Sequence, residues 1–171
     1  MLVVTESLLN QFAEMPGFVA AACARLPREM LLAQPRNDRS PLAEHAWHLR
    51  DCETLLYAQR IDAMLRDDHP TLAPVFVKEW IVAHGYFTRP VHDAVTGFAA
   101  ARAVFIERLR GFGAPQLARS GMRADGKAYS VAAVVEEMAD HDRDHRQRMV
   151  QILADYAAYG VPTPDAAALR T

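Results

Sequence analysis

Two of the seven histidines in this chain, His141 and His145 in the stretch EEMADHDRDHRQRM, stand four residues apart. At about 100° of rotation per residue, a four-residue step along a helix comes back to within about 40° of its starting direction, one turn further on. The two imidazoles therefore share a face. The apolar stripe of the same segment runs through Val134, Met138, Met149 and Ile152, and both histidines fall within it by the same angular count, so they turn toward a packed interior. Burying a polar ring without a partner costs on the order of 1 to 3 kcal/mol. A single divalent cation satisfies both rings by taking one acceptor nitrogen from each. The competing chemistry is ordinary: Glu136, Glu137, Asp140, Asp142 and Asp144 could pair with arginines at i,i+4 spacing around histidines that are merely solvated or hydrogen-bonded.

A metal site needs a third protein ligand, and helical bundles draw it from a facing helix. The stretch EHAWHLRDCE offers His45 and His48, one turn apart, with Cys52 four residues beyond His48. His45 falls squarely on the apolar stripe of that segment and His48 at its edge, and spacing does not choose between them. Cys52 is either a thiolate ligand or a small core hydrophobe. Asp51, Asp142 and Asp144 are candidates to orient ligand imidazoles through a hydrogen bond, or simple solvated acids. Trp47 reads as core or interface packing, and His69, His84 and His92, in or beside a long connection, read as exposed.

The elements that must position these residues are helical. Leu8, Phe12, Met15, Val19, Ala22 and Leu26 recur at threes and fours, marking a first amphipathic helix that Pro16 should kink. A second helix is expected from about Pro41 to Arg66, with Ser40 as N-cap, proline at the first position, and a core stripe through Leu42, Leu49, Leu56 and Ala63. A long connection with three prolines follows, with room for one short helical turn. The third helix should span about Val91 to Arg110, an irregular loop comes next, and the fourth helix should run from near Ser130 through Tyr156. No strand pattern of useful length interrupts this, so the fold class is all-α, a four-helix bundle. Residues 1–159 form one domain, and 160–171 read as a loose C-terminal tail.

Bulk composition narrows the function. With 19 Lys plus Arg against 21 Asp plus Glu, and a net charge of −2, there is no basic excess to bind nucleic acid. Two cysteines, no secretory leader in MLVVTESLLNQF and no transmembrane span make a cytoplasmic protein without disulfides or a membrane partner the expectation.

The segments WHLRDCETLLYAQRI and EMADHDRDHRQRMVQIL, in that order and separation, resemble the DinB-like (damage-inducible) superfamily. Its pattern of His, apolar residue, any residue and Asp on the second helix, an arginine further along, and His-x-x-x-His on the fourth falls here on His48, Leu49, Asp51, Arg60, His141 and His145. The resemblance extends from about Val4 to Tyr156, and it selects His48 over His45. It implies a bundle with a long crossover between helices two and three and a divalent metal held by His48, His141 and His145, with zinc or nickel first and iron next. It also implies a homodimer. The superfamily includes transferases and isomerases that use low-molecular-weight thiols, and domains of enzymes that make sulfur-containing histidine betaines. The implied reaction is therefore activation of a thiol or water nucleophile toward a small electrophilic substrate, as in thiol S-transferases or hydrolases. The alternative is a non-catalytic metal-binding or stress-associated dimeric bundle, its site sealed by Cys52 or His45.

Overall fold

In the computed structural model, which describes residues 2–163, Thr5 opens the first helix by accepting a hydrogen bond from the backbone N–H of Leu8 on its side-chain oxygen. This helix, α1 (Glu6–Cys23), continues through Pro16 and buries Phe12, Met15, Val19 and Ala22. A single-turn helix, α2 (Arg28–Leu32), leads to α3 (Leu42–Asp51). Pro41, not Ser40, occupies the N-cap of α3, and the Ser40 hydroxyl donates instead to the Glu44 carboxylate at 2.6 Å.

After Asp51 the helix changes pitch. Cys52–Tyr57 form a π-helical segment, in which the Ala58 N–H bonds back five residues to the Glu53 carbonyl, before α4 (Ala58–Arg66) resumes the ordinary spacing. The π turn absorbs one extra residue. Beyond it Ile61 and Met64 are buried while Ala63 is only half-buried, so the expected stripe is displaced by one position. The wider turn also brings the adjacent polar residues Cys52 and Glu53 inside together.

The crossover from 67 to 90 carries α5 (Val77–Ala83), which packs on α3. The next two helices of the bundle, α6 (Val91–Arg110) and α8 (Val131–Ala158), begin and end within two residues of the expected positions, and Ser130 caps α8 through its hydroxyl. The loop between them contains a short helix, α7 (Ala114–Ala118), and an antiparallel hairpin, β1 (Ser120–Met122) with β2 (Ala128–Ser130). The hairpin departs from the strand-free expectation. Three-residue strands carry no periodicity that a sequence can display, and the hairpin is anchored from outside by a bridge between Met122 and Thr71. Gly121 permits that approach, because a Cβ there would sit 2.7 Å from the Pro70 carbonyl oxygen.

α1 and α3 each pack against α6 and α8, giving the four-helix bundle. Its apolar core has two parts. One gathers Phe12, Leu56, Ile61, Leu109 and Val134, the other Phe18, Leu42, Trp47, Phe98, Ile152 and Tyr156. Between them lies a layer of polar side chains: Glu53, Arg102, Asp142 and His145, all buried, with His48 and His141 beside them. Among the described residues, no helix is long and apolar enough to cross a membrane. Of the tail expected at 160–171, residues 164–171 lie outside the described residues.

Candidate metal centre

The polar layer separates into two clusters. In the first, Arg102, only 2% exposed, lies between two carboxylates. Its Nε and Nη2 donate to Glu53 at 2.9 Å each, its Nη1 and Nη2 donate to Asp142 at 2.6 and 3.1 Å, and Nη1 reaches the Phe12 carbonyl at 3.2 Å. The rings of Phe12 and Phe98 flank the guanidinium. Burial works against its charge, but the two carboxylates together outweigh that and keep Arg102 protonated. This group is saturated.

The second cluster is made of imidazoles. α3 supplies His45 and His48 and α8 supplies His141 and His145, each pair separated by about one helical turn. His48 Nε2 faces His141 Nε2 at 3.0 Å, and His45 Nδ1 faces His145 Nδ1 at 2.8 Å. The His145 ring lies against all three others, with its centroid 4.4 Å from that of His141 and 4.9 Å from those of His48 and His45. Cys52, one turn beyond His48 on the π segment, places Sγ 3.4 Å from His48 Nε2. Ligand atoms of His48, Cys52 and His141 all fall within 4.8 Å of one another. Tyr57 packs its ring edge-on to His141.

Electrostatics holds this cluster neutral. Burial, with Arg148 and His48, lowers His45 to about 4; burial and His141 do the same for His48, and burial and Arg102 for His141. His145 is driven lower still, by burial and then by His141. Burial, reinforced by Asp51 and Glu53, keeps the Cys52 thiol protonated. The protein thus gathers four uncharged rings, each with one bare nitrogen, and repels protons from them. That donor set fits a divalent cation. Two nitrogens bound to one zinc ion at about 2.0–2.1 Å lie no more than about 4.2 Å apart, and the 3.0 Å between His48 and His141 is within that span.

The cluster opens on one side. A cleft of about 260 Å³ reaches His45, His48 and His145, walled by Val77, Lys78 and Ile81 of α5 and by Arg148 of α8. A second hollow, of about 210 Å³, adjoins it at Ser40, His45 and Arg148.

The carboxylates near the histidines are engaged elsewhere. Asp51, fully buried, accepts from His84 Nδ1 at 2.6 Å, the Tyr86 hydroxyl at 3.0 Å and Arg50 at 2.5 Å, while Asp142 belongs to Arg102 and Asp144 to Arg148. Among the described residues no carboxylate hydrogen-bonds to any of the four rings. His84, expected in solvent, is half-buried and stacks on Trp80, because the crossover folds back onto α3. Arg60 sets its guanidinium over Tyr129, with a buried Nε that has no partner among the described residues. Sequence reasoning missed Arg102 and Glu53. A signal for Arg102 was present, since a charged residue stands in the apolar stripe of Phe98, Phe105 and Leu109; Glu53 had none, because its burial depends on the π turn.

The helix order, with a long crossover after the bundle's second helix, sets the histidine cluster between α3 and α8. The chain belongs to the DinB superfamily, whose model matches residues 11–149. Among solved structures it is similar to YfiT from Bacillus subtilis, with a TM-score of 0.80 at 14% identity over 95% of this chain and 93% of that one. YfiT is described as "a probable metal-dependent hydrolase with an unusual four-helix bundle topology". No curated protein matches the chain.

Proposed function

We propose that this chain is a metal-dependent enzyme that holds one divalent ion, zinc or nickel in the first instance, on His48, His141 and His145, and activates a thiol or water nucleophile toward a small electrophile. The observation that carries the reading is the convergence of neutral imidazoles from two helices, with His48 Nε2 and His141 Nε2 3.0 Å apart, beside a cleft that reaches His48 and His145. Three neutral ligands leave the charge of an ion undiminished and leave coordination positions open, as in catalytic sites. A bound ion would lower the pKa of a thiol or water presented to it. The chain's own contribution is to keep the rings unprotonated, to hold them on two packed helices, and to line the approach with Val77 and Ile81 for an apolar substrate part. Lys78 and Arg148 line the same approach for an anionic part. The description of YfiT, which has a similar fold, as a probable metal-dependent hydrolase supports this reading.

Cys52 favours a second reading. Its Sγ lies 3.4 Å from His48 Nε2, so a thiolate there could close the coordination and leave a non-catalytic metal site. Elemental analysis of protein purified without a histidine tag, followed by zinc titration of the Cys52→Ser variant, separates the two. The catalytic reading expects an affinity within a few-fold of the parent, and turnover when low-molecular-weight thiols are screened against electrophiles. Loss of metal in Cys52→Ser, with no turnover in the parent, contradicts it.

A further inference from the structure

Each ligand histidine of a metal site commonly donates its second ring N–H to a carboxylate or carbonyl, which fixes the tautomer and the direction of the ring. Here the nearby carboxylates are taken: Asp51 by His84, Tyr86 and Arg50, Asp142 by Arg102, and Asp144 by Arg148. The one hydrogen-bond partner of His145 among the described residues is His45, with the two Nδ1 atoms 2.8 Å apart. At that distance one nitrogen must carry the proton and the other accept it.

We infer that His45 is a positioning residue for the metal centre: its Nδ1 accepts the Nδ1–H of His145 and so leaves His145 Nε2 unprotonated for coordination. The inference rests on the reading that His145 is a ligand, and the assignment follows by exclusion. If His45 donated instead, the neutral His145 ring would carry its proton on Nε2 and could not bind an ion there. With His145 as donor, His45 must hold its own proton on Nε2, and an imidazole does for this site what a carboxylate does elsewhere. The His45 ring is 4% exposed and meets the His145 ring nearly edge-to-face, at an interplanar angle of 80°, a geometry that aims Nδ1 of one ring at Nδ1 of the other and keeps both from turning. His45 also lines both hollows, so the pair joins the metal centre to the cleft.

The tautomer can be read on the unaltered protein. In the metal-free chain with 15N-labelled histidine, His145 is expected as the Nδ1–H form and His45 as the Nε2–H form, with a nitrogen–nitrogen coupling across the shared hydrogen bond. The opposite tautomers overturn the proposal. In zinc titration, His45→Ala should weaken binding by about 10- to 100-fold, and His45→Gln, which keeps an acceptor, should recover most of that loss at unchanged thermal midpoint. An unchanged affinity in His45→Ala overturns the positioning role, as does a loss as complete as that of His48→Ala, which would make His45 itself a ligand. The underlying reading fails separately: it falls if His145→Ala binds zinc as the parent does.

Discussion

The two clusters that share the polar layer of this bundle differ in one respect, and it is decisive. Around Arg102 every donor meets an acceptor within the protein: five hydrogen bonds converge on one guanidinium, and four of them go to two carboxylates. Around His48, His141 and His145 the rings are less deeply enclosed, and the nitrogens that meet belong to other neutral imidazoles, His48 with His141 and His145 with His45, with no carboxylate or cation among their described partners. A saturated buried network asks nothing of the solvent and serves the fold. A group of neutral imidazoles from two helices, with no charged hydrogen-bond partner among the described residues, can instead take a cation as its partner. Burial of polar groups alone does not mark a functional site; what sets the imidazole cluster apart is that its donor atoms meet only other neutral rings and a thiol, beside a cleft.

The largest effect expected from breaking this contrast lies on the saturated side. Arg102→Leu strands Glu53 and Asp142 in the core, and removing one partner of a buried ion pair costs about 3–5 kcal/mol. Urea unfolding should show a loss of that size, and a loss below about 1 kcal/mol would mean the network is not the structural element described. On the other side, His48→Ala, His141→Ala and His145→Ala should each reduce zinc affinity by more than the roughly hundredfold ceiling of an outer-shell change. Circular dichroism of these metal-free variants should stay helical. Collapse of their helical content would give the histidines the structural role reserved here for Arg102.

A pH titration sharpens the distinction further. In the unfolded chain the histidines titrate near 6.5, whereas His45, His48 and His141 in the folded chain stay neutral down to about 4. The unfolded state therefore binds more protons between those values, so the stability that these histidines contribute is complete above 6.5 and is lost as pH falls toward 4. Each histidine adds a slope of about 1.4 kcal/mol per pH unit within that window. Chemical unfolding of metal-free protein at pH 7, 6 and 5 should show a progressive loss, and a flat profile would contradict the neutral cluster. The smallest effect is expected at the rim. Arg148 pairs with Asp144 at 2.9 Å, but both side chains are more than half exposed, so Arg148→Ala should change stability by no more than about 0.5 kcal/mol. A larger loss would show that the mouth of the cleft is part of the core.

Much of this was legible in the sequence, for identifiable reasons. α6 and α8 announced themselves through long apolar stripes, with Ser130 at the start of α8. The family pattern singled out His48, His141 and His145; their rings are neighbours, but among the described residues the ligand atoms within 4.8 Å of one another are those of His48, Cys52 and His141, while His145 Nδ1 meets His45. What escaped was whatever depended on a second element. The π turn has no periodic signature, so the displacement of the stripe from Ala63 to Met64 and the burial of Glu53 could not be foreseen. The partners of Asp51 lie 33 and 35 residues away on the crossover, at His84 and Tyr86, and only its folding onto α3 joins them. The pairing of His45 with His145 spans 100 residues, and spacing on one helix could show only that His45 faced inward.

The central claim is that the imidazole cluster completes itself with one divalent ion. Isothermal titration of untagged, metal-free protein with zinc at pH 7 tests it most directly. The account predicts saturation at one ion per chain with a Kd below about 1 μM, or roughly −8 kcal/mol, and loss of that binding in His48→Ala and His141→Ala. Absence of stoichiometric binding, or binding that survives both substitutions, would contradict it.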